Sequence, residues 1–353
     1  MTNNTNITFE DVVSFESLLD SANQCCKGVM WKSSTQMFAL NKMRWCSDLH
    51  HALINDKYKS KGFTQFFINE RGKTRFIQAV HISERCVQKS LVQNALRPII
   101  VPRLIYDNSA SLKGKGTEFA LKRLKQHLAH HYRKYGRKGG ILLIDFHDYF
   151  GSINHAKLIS MFNEVIKDKR IVKLIAYFIN AFDGDCGLGL GSEVSQIGAI
   201  FYPNKIDHYI KEQLHIKGYG RYMDDSYLIS DDIDYLRYCL TVIRKMCEEL
   251  NITLNEKKTH IVKLNSGGFE FLKKRIFISD TGKIVMRLMR KNITKRRQLI
   301  KKHIELYYKG QITFQSLCQS YDSWVGYASH YNVYKTILSM DKLFIDLFRK
   351  GNT

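Results

Sequence analysis

Two short apolar segments that end in carboxylates constrain this chain most. Residues 140–145 read Gly-Ile-Leu-Leu-Ile-Asp, and four consecutive apolar residues predict a strand covered on both faces, with Asp145 at its end. Residues 220–230 predict a strand–turn–strand with Asp224 and Asp225 at the tip. Paired acids are common turn formers, but three converging acids would repel one another unless cations lay between them. Mg²⁺ suits such hard oxygen ligands.

The charge of the whole chain predicts a polyanionic partner. Its 353 residues include 55 Lys and Arg against 33 Asp and Glu, which gives a net charge of +22. The chain has no apolar run near the ~20 residues that cross a bilayer and no secretory leader, which favours nucleic acid over a membrane. The eight cysteines form no CxxC pair, so we expect reduced thiols in a cytoplasmic protein.

Periodicity and turn residues predict the remaining elements. We expect helices over 9–60, a hairpin over 62–82, and a helix from Ser83 that Pro98 and Pro102 end. A single helix is predicted from Ser192 to about Leu214, and the segment 288–349 is predicted to be helical. Residues 111–140 carry nine Lys and Arg with one acid, and residues 281–304 carry nine with none. A helix face that is only solvated usually carries acids spaced to pair with its bases, and these two runs together contain a single acid.

These segments occur in the order of the motifs of a reverse transcriptase. Residues 143–155 (Leu-Ile-Asp-Phe-His-Asp-Tyr-Phe-Gly-Ser-Ile-Asn-His) resemble motif A, and Tyr222–Asp225 resembles motif C. Residues 187–196 occupy the position of motif B, residues 254–259 resemble motif D, and residues 268–272 resemble the primer grip. The resemblance covers roughly residues 60–350.

The resemblance implies an α+β right-hand polymerase, built from fingers, a palm with an antiparallel sheet, and a helical thumb. The expected boundaries are an N-terminal helical extension at 1–60, fingers at 61–140, a palm with inserted fingers elements at 141–272, and the primer-grip end with the thumb at 273–353. It also implies an RNA-directed DNA polymerase that takes an RNA template and deoxynucleotides and makes DNA.

The resemblance assigns roles to individual residues. The catalytic acids and ligands of two Mg²⁺ would be Asp145, Asp224 and Asp225. The expected nucleotide contacts are Lys73, Arg75, Phe150, Leu190, Gly191 and Gln196, with the Phe150 ring beneath the sugar. Either Lys257 or Lys258 could protonate pyrophosphate. The expected nucleic-acid contacts are Lys113, Lys115, Arg287, Arg290, Lys291, Arg296 and Arg297.

Departures from the commonest motifs narrow the resemblance. Leu190 stands where many members carry a glutamine, and residues 190–196 resemble a pattern of diversity-generating retroelements and their relatives. The compact C-terminal part and the segment Gly220–Asp225 look most like bacterial defence-associated reverse transcriptases, which commonly use a noncoding RNA. The alternatives are a mutagenic retroelement enzyme, a template-independent or protein-primed polymerase, and a non-catalytic RNA-binding scaffold. The sequence leaves the oligomeric state open.

Overall fold

The computed structural model describes residues 6–70 and 73–350. Its helices up to the second basic run are α1 Phe9–Val13, α2 Phe15–Cys26, α3 Ser33–Leu40, α4 Lys42–Ile54, α5 Ile82–Leu91, α6 Arg97–Ile100, α7 Thr117–Tyr135, α8 Tyr149–Ser152, α9 His155–Val165, α10 Lys169–Ile179, α11 Glu193–Phe201, α12 Asn204–Glu212 and α13 Ile233–Glu249. Three helices follow it: α14 Arg290–Tyr308, α15 Phe314–Ser329 and α16 Tyr334–Lys350.

The strands form three sheets among the described residues. They are β1 Phe63–Glu70, β2 Lys73–Val80, β3 Gly140–Asp145, β4 Gly218–Tyr222, β5 Asp225–Ser230, β6 His260–Lys263, β7 Phe269–Phe271, β8 Lys274–Ile278 and β9 Ile284–Leu288. The pair β1–β2 stands alone, the strand order of the second sheet is β4-β5-β3-β6, and that of the third is β7-β8-β9. Strand β3 pairs antiparallel with β6, with Gly140 opposite Lys263 and Leu143 opposite His260.

Most predicted elements are present. The hairpin over 62–82 is confirmed as β1 and β2, which pair antiparallel from Phe63 opposite Val80; the predicted turn residues 71–72 lie outside the described part. The buried strand at 140–145 is also confirmed, because every residue of β3 is buried. Strands β4 and β5 confirm the predicted strand–turn–strand, and α14, α15 and α16 confirm the helical end.

Of the two prolines predicted to end the helix that begins at α5, Pro102 lies near its end but Pro98 does not. A π-helical turn, Val92–Leu96, leads directly into α6, and a 3₁₀ turn that contains Pro102, Val101–Arg103, follows before the chain becomes extended at Leu104. Pro98 lies in the first turn of α6, where a missing N–H is tolerated. The helix predicted from Ser192 to Leu214 is instead two helices, because Pro203 lies at the start of α12 and separates it from α11.

The chain divides into two compact units. The first consists of residues 1–120, 144–226 and 238–259, and the second of residues 121–143, 227–237 and 260–353. In the first unit, fully buried apolar side chains come from different helices: Leu18 of α2, Leu91 of α5, Phe162 of α9 and Ile200 of α11. The segments that carry the three acids belong to the same unit, apart from the first residues of β3. The predicted boundaries of fingers, palm and thumb stay a prediction.

The second unit has a core where helix α7 packs on strands, and a separate helical cluster. Leu124 and Leu128 of α7 pack with Ile141 of β3 and Ile276 of β8. The helical cluster joins α14, α15 and α16 through buried residues that include Ile300. No helix in the described ranges is long and apolar enough to cross a membrane.

Candidate active site

Asp145 is the most firmly held of the three acids. It ends β3 and is 4% exposed. Its carboxylate oxygen Oδ1 accepts a hydrogen bond from Asn255 Nδ2 at 2.9 Å, and Oδ2 accepts one from Lys258 Nζ at 2.7 Å. Its backbone carbonyl accepts the Asn255 N–H at 2.8 Å. The loop before β6 therefore fixes both the backbone and the carboxylate of Asp145.

Asp224 lies in the tight turn between β4 and β5, and Asp225 is the first residue of β5. Met223 has a φ of +54°, in the left-handed region that non-glycine residues rarely adopt, and this reverses the chain just before the two acids. The Asp224 carbonyl accepts the Phe146 N–H at 3.3 Å, so the turn is joined to the residue that follows Asp145. The three acids predicted from the sequence are thus brought together.

The pKa of Asp225 is raised by its burial and by the neighbouring carboxylates. Burial, followed by the charges of Asp224 and Asp145 and a hydrogen bond shared with Asp145, raises the pKa of Asp225 to about 7, and only Lys258 opposes the rise. For Lys258, partial burial disfavours the charged form, but the hydrogen bond to Asp145 and the three carboxylates raise its pKa. Lys258 is therefore the positive charge that holds this acidic cluster together.

The same donor set fits a divalent metal. The hard carboxylate oxygens of Asp145, Asp224 and Asp225 are the ligand type that Mg²⁺ prefers, and burial together with the charges of Asp224 and Asp145 raises the pKa of Asp225. In the described ranges, no three His, Cys, Asp or Glu side chains already form a metal-binding cluster. Both oxygens of Asp145 are engaged by Asn255 and Lys258, so a metal would have to compete with Lys258.

Sequence reasoning left Lys257 and Lys258 as alternatives, and the structure separates them. Both lysines are exposed, but Lys258 Nζ donates to Asp145 Oδ2 at 2.7 Å. Asn255 was missed as a site residue, although it lies in the segment that resembles motif D. Arg221, buried beside the acidic turn, was also missed; the signal for it was an arginine inside an apolar strand.

The predicted nucleotide contacts occupy several elements of the first unit. Phe150 is half-buried in α8, and its carbonyl accepts the Leu188 N–H at 2.8 Å, which ties motif A to the motif B loop. Leu190 is half-buried, Gly191 has a φ of +114°, and Gln196 is exposed on α11. Arg75 is exposed on β2, and the side chain of Lys73 lies outside what the structure describes.

The predicted nucleic-acid contacts differ in their freedom to meet phosphate. Lys113 is exposed, but Lys115 Nζ donates to the carbonyls of Tyr106 at 2.6 Å and Asn108 at 3.1 Å, so it anchors its own loop. In the second unit, the exposed members are Arg287, Arg290, Lys291 and Arg297.

Arg296 is the exception in the second unit. It is half-buried, donates to the Ser320 carbonyl at 2.6 Å and lies over the Trp324 ring. Burial lowers its pKa. Arg296 therefore holds α14 against α15 in this arrangement.

The raised pKa of Asp225 predicts a pH-dependent stability difference. Between about pH 4 and pH 7 the folded protein binds a proton that the unfolded chain has lost, so stability falls as pH rises through this window. Asp225→Asn removes this ionisable group and therefore the loss of stability that accompanies its deprotonation. Without divalent metal, the unfolding free energy of Asp225→Asn relative to wild type should increase by up to about 1.4 kcal/mol per pH unit as the pH rises, and should level off above pH 7.

Urea unfolding at a series of pH values measures this difference. Asp183→Asn, at an exposed aspartate of the same unit, is the control and should follow wild type at every pH. An Asp225→Asn advantage that does not change with pH would contradict the electrostatic account.

Comparisons with known proteins fit this geometry. The reverse transcriptase (RNA-dependent DNA polymerase) family matches residues 56–274. Telomerase from Candida albicans, solved in complex with a TWJ fragment of telomeric RNA, aligns with a TM-score of 0.51 at 10% identity over 86% of this chain and 65% of that chain. Apo telomerase from Candida tropicalis, truncated from the C-terminal domain, aligns with a TM-score of 0.49 at 13% identity over 64% of this chain and 54% of that chain. No curated protein sequence matches significantly.

These matches differ in what they show. This chain spans less than two thirds of either telomerase chain, and the likeness to the C. albicans protein shows the fold alone. It confirms the predicted α+β polymerase fold. The family match covers more than half of the 353 residues. The chain therefore belongs to the reverse transcriptase family.

Proposed function

We propose that this protein is an RNA-directed DNA polymerase that transfers nucleotides at Asp145, Asp224 and Asp225 with two Mg²⁺ ions. The observation that carries the proposal is the convergence of the three carboxylates, one of them with a pKa raised to about 7. A scaffold that only binds RNA has no use for concentrated negative charge inside a chain of net charge +22. When bound, the Mg²⁺ ions would neutralise these carboxylates, lower the pKa of the primer hydroxyl and stabilise the leaving oxygen.

The side chains around the acids have separate tasks in this proposal. Asn255 keeps the Asp145 carboxylate oriented through its 2.9 Å hydrogen bond. Lys258 Nζ carries a proton at neutral pH, because its neighbours raise its pKa, and it could pass that proton to the departing pyrophosphate once it leaves Asp145. The half-buried Phe150 ring would screen the sugar against a 2′-hydroxyl.

Removing single charges tests the catalytic assignment. Asp224→Asn and Asp145→Asn should each lower Mg²⁺-dependent nucleotide incorporation on an RNA template by at least about 10³-fold, because each removes an anionic ligand of the proposed Mg²⁺ ions. Primer extension with purified protein measures the effect, and thermal unfolding shows that the variants remain folded. Asp183→Ala is the control at an exposed aspartate and should keep wild-type activity. Full activity in folded Asp224→Asn would exclude the assignment.

We further propose that the N-terminal part of α14 binds nucleic-acid phosphates. The helix begins with Arg290 and Lys291, and its first turn contains no acid. Basic residues at a helix N-terminus oppose the helix dipole by about 0.3–1 kcal/mol each, which a bound polyanion would offset. Lys301 is also exposed on this helix. Such contacts would hold the backbone without reading sequence.

The salt dependence of binding tests this surface. The triple variant Arg290→Gln, Lys291→Gln, Lys301→Gln should bind an RNA–DNA duplex more weakly and flatten the slope of log affinity against log salt by about 2–3, at roughly 0.7–0.9 per lost phosphate contact. Arg296 is left intact because it packs against Ser320.

A matched triple variant controls for net charge. Lys57→Gln, Lys217→Gln, Lys245→Gln removes the same charge from exposed positions of the first unit and should leave the slope near wild type. Equal slopes for both triple variants would contradict the proposal that α14 contacts nucleic-acid phosphates.

We also propose a template of defined noncoding RNA and a role in defence against phage. This part rests on the motif resemblance alone, in particular on the segment Gly220–Asp225. Sequencing the nucleic acid that copurifies with the protein tests it. The expected result is one enriched RNA together with complementary DNA. Random cellular RNA, DNA without a complementary RNA, or a template repeat matching a variable gene would each contradict the noncoding-RNA proposal.

A further inference from the structure

The acidic turn rests on a buried ion pair that lies beneath it. Arg221 of β4 is 2% exposed and Asp207 of α12 is 0% exposed. Arg221 Nε lies 2.8 Å from Asp207 Oδ1, and Arg221 Nη2 lies 2.6 Å from Asp207 Oδ2. Tyr219, also in β4, donates its hydroxyl to Asp207 Oδ1 at 2.6 Å. Both carboxylate oxygens of Asp207 are thus occupied.

The remaining donors of Arg221 reach two backbone carbonyls. Nη1 donates to the Met223 carbonyl at 3.1 Å, and Nη2 donates to the Ile200 carbonyl at 2.7 Å. Met223 is the left-handed residue directly before Asp224, so its carbonyl direction fixes the peptide plane that leads into the acid. Ile200 lies near the end of α11, the helix that follows the motif B loop.

We propose that Arg221 and Asp207 are positioning residues that hold the turn 222–225 in its catalytic conformation and couple it to α11. The inference rests on the proposed function, since it names how the acids of that site are oriented. Neither residue contacts the reacting atoms; both act through the Met223 carbonyl.

The chemistry of the pair supports a geometric role over a merely stabilising one. Burying two charges costs desolvation energy that the ion pair often only balances, and well-packed apolar side chains can replace such pairs without loss of stability. Apolar side chains, however, cannot donate hydrogen bonds to the Met223 and Ile200 carbonyls. The planar guanidinium, with its fixed fork of donors, can hold a carboxylate and two carbonyls at once.

A charge-free replacement separates positioning from stability. Arg221→Met and Asp207→Leu should each lower the unfolding temperature, because each leaves one charge buried alone, and the double variant should recover most of that loss. The recovered double variant should still show kcat for nucleotide incorporation lowered at least about 10-fold, with KM for the nucleotide within about 2-fold of wild type. As a control, Lys173→Gln breaks the exposed 2.9 Å pair of α10 with Asp56 and should leave kcat unchanged.

Binding of Mn²⁺, followed by electron paramagnetic resonance without nucleic acid, gives a readout besides activity. Affinity in the double variant should fall at least about 10-fold, because the carboxylates are no longer pre-oriented. A folded double variant with wild-type kcat and Mn²⁺ affinity would overturn the proposal.

Arg221→Lys covers the case in which the double variant does not fold. Lysine keeps the charge next to Asp207 but lacks the fork, so the folded variant should show the same loss of kcat and of Mn²⁺ affinity. Wild-type values in folded Arg221→Lys would equally overturn the proposal. If wild-type protein incorporates no nucleotide at all, the proposed function fails, while the Mn²⁺ titration still decides the role of Arg221.

Discussion

Mutual repulsion of three carboxylates governs the architecture around strands β3 and β5. Asp145, Asp224 and Asp225 sit close enough that burial and neighbouring charge raise the pKa of Asp225 to about 7. Left alone, such charges would push the strand ends apart or take up protons. Hydrogen-bond donors oppose this repulsion. Asn255 and Lys258 donate to the Asp145 carboxylate, and Arg221 donates to the Met223 carbonyl in the turn.

The two kinds of support act differently. Lys258 is an exposed side chain whose ammonium donates to Asp145 Oδ2 at 2.7 Å, where the proposed metal ion would compete with it. The Arg221–Asp207 pair is buried, both carboxylate oxygens of Asp207 accept hydrogen bonds, and Arg221 also donates to two carbonyls. In the proposed function, Lys258 would therefore compete with cations, while the buried pair would maintain the geometry of the acidic turn.

Sequence reasoning succeeded where the signal is local. The strand 140–145 and the hairpin tip at 224–225 were predicted because an apolar run and a polar end are properties of a few adjacent residues. It failed at Pro98 because a π turn carries the helix past that proline, and it overlooked Pro203, a local signal at the start of α12 that separates two helices. Lys257 and Lys258 differ by one position in a loop, and only the fold decides which one faces Asp145. Arg296 looked like a surface base, yet its neighbour Ser320 lies 24 positions away on another helix. Asp207 carried no sequence signal, since its partner is set by tertiary packing.

The buried arginine also sets a limit on protein engineering. A designer who transplants only the Tyr-Met-Asp-Asp turn into a related polymerase would carry over the acids but leave behind Arg221, Asp207 and the end of α11. The turn would then lack the hydrogen bond from Arg221 to the Met223 carbonyl, and a transplant extended to Arg221 would bury that charge without Asp207. Successful exchange therefore requires moving residues from about 200 to 225 as one piece, so the smallest interchangeable part of this site is larger than its motif.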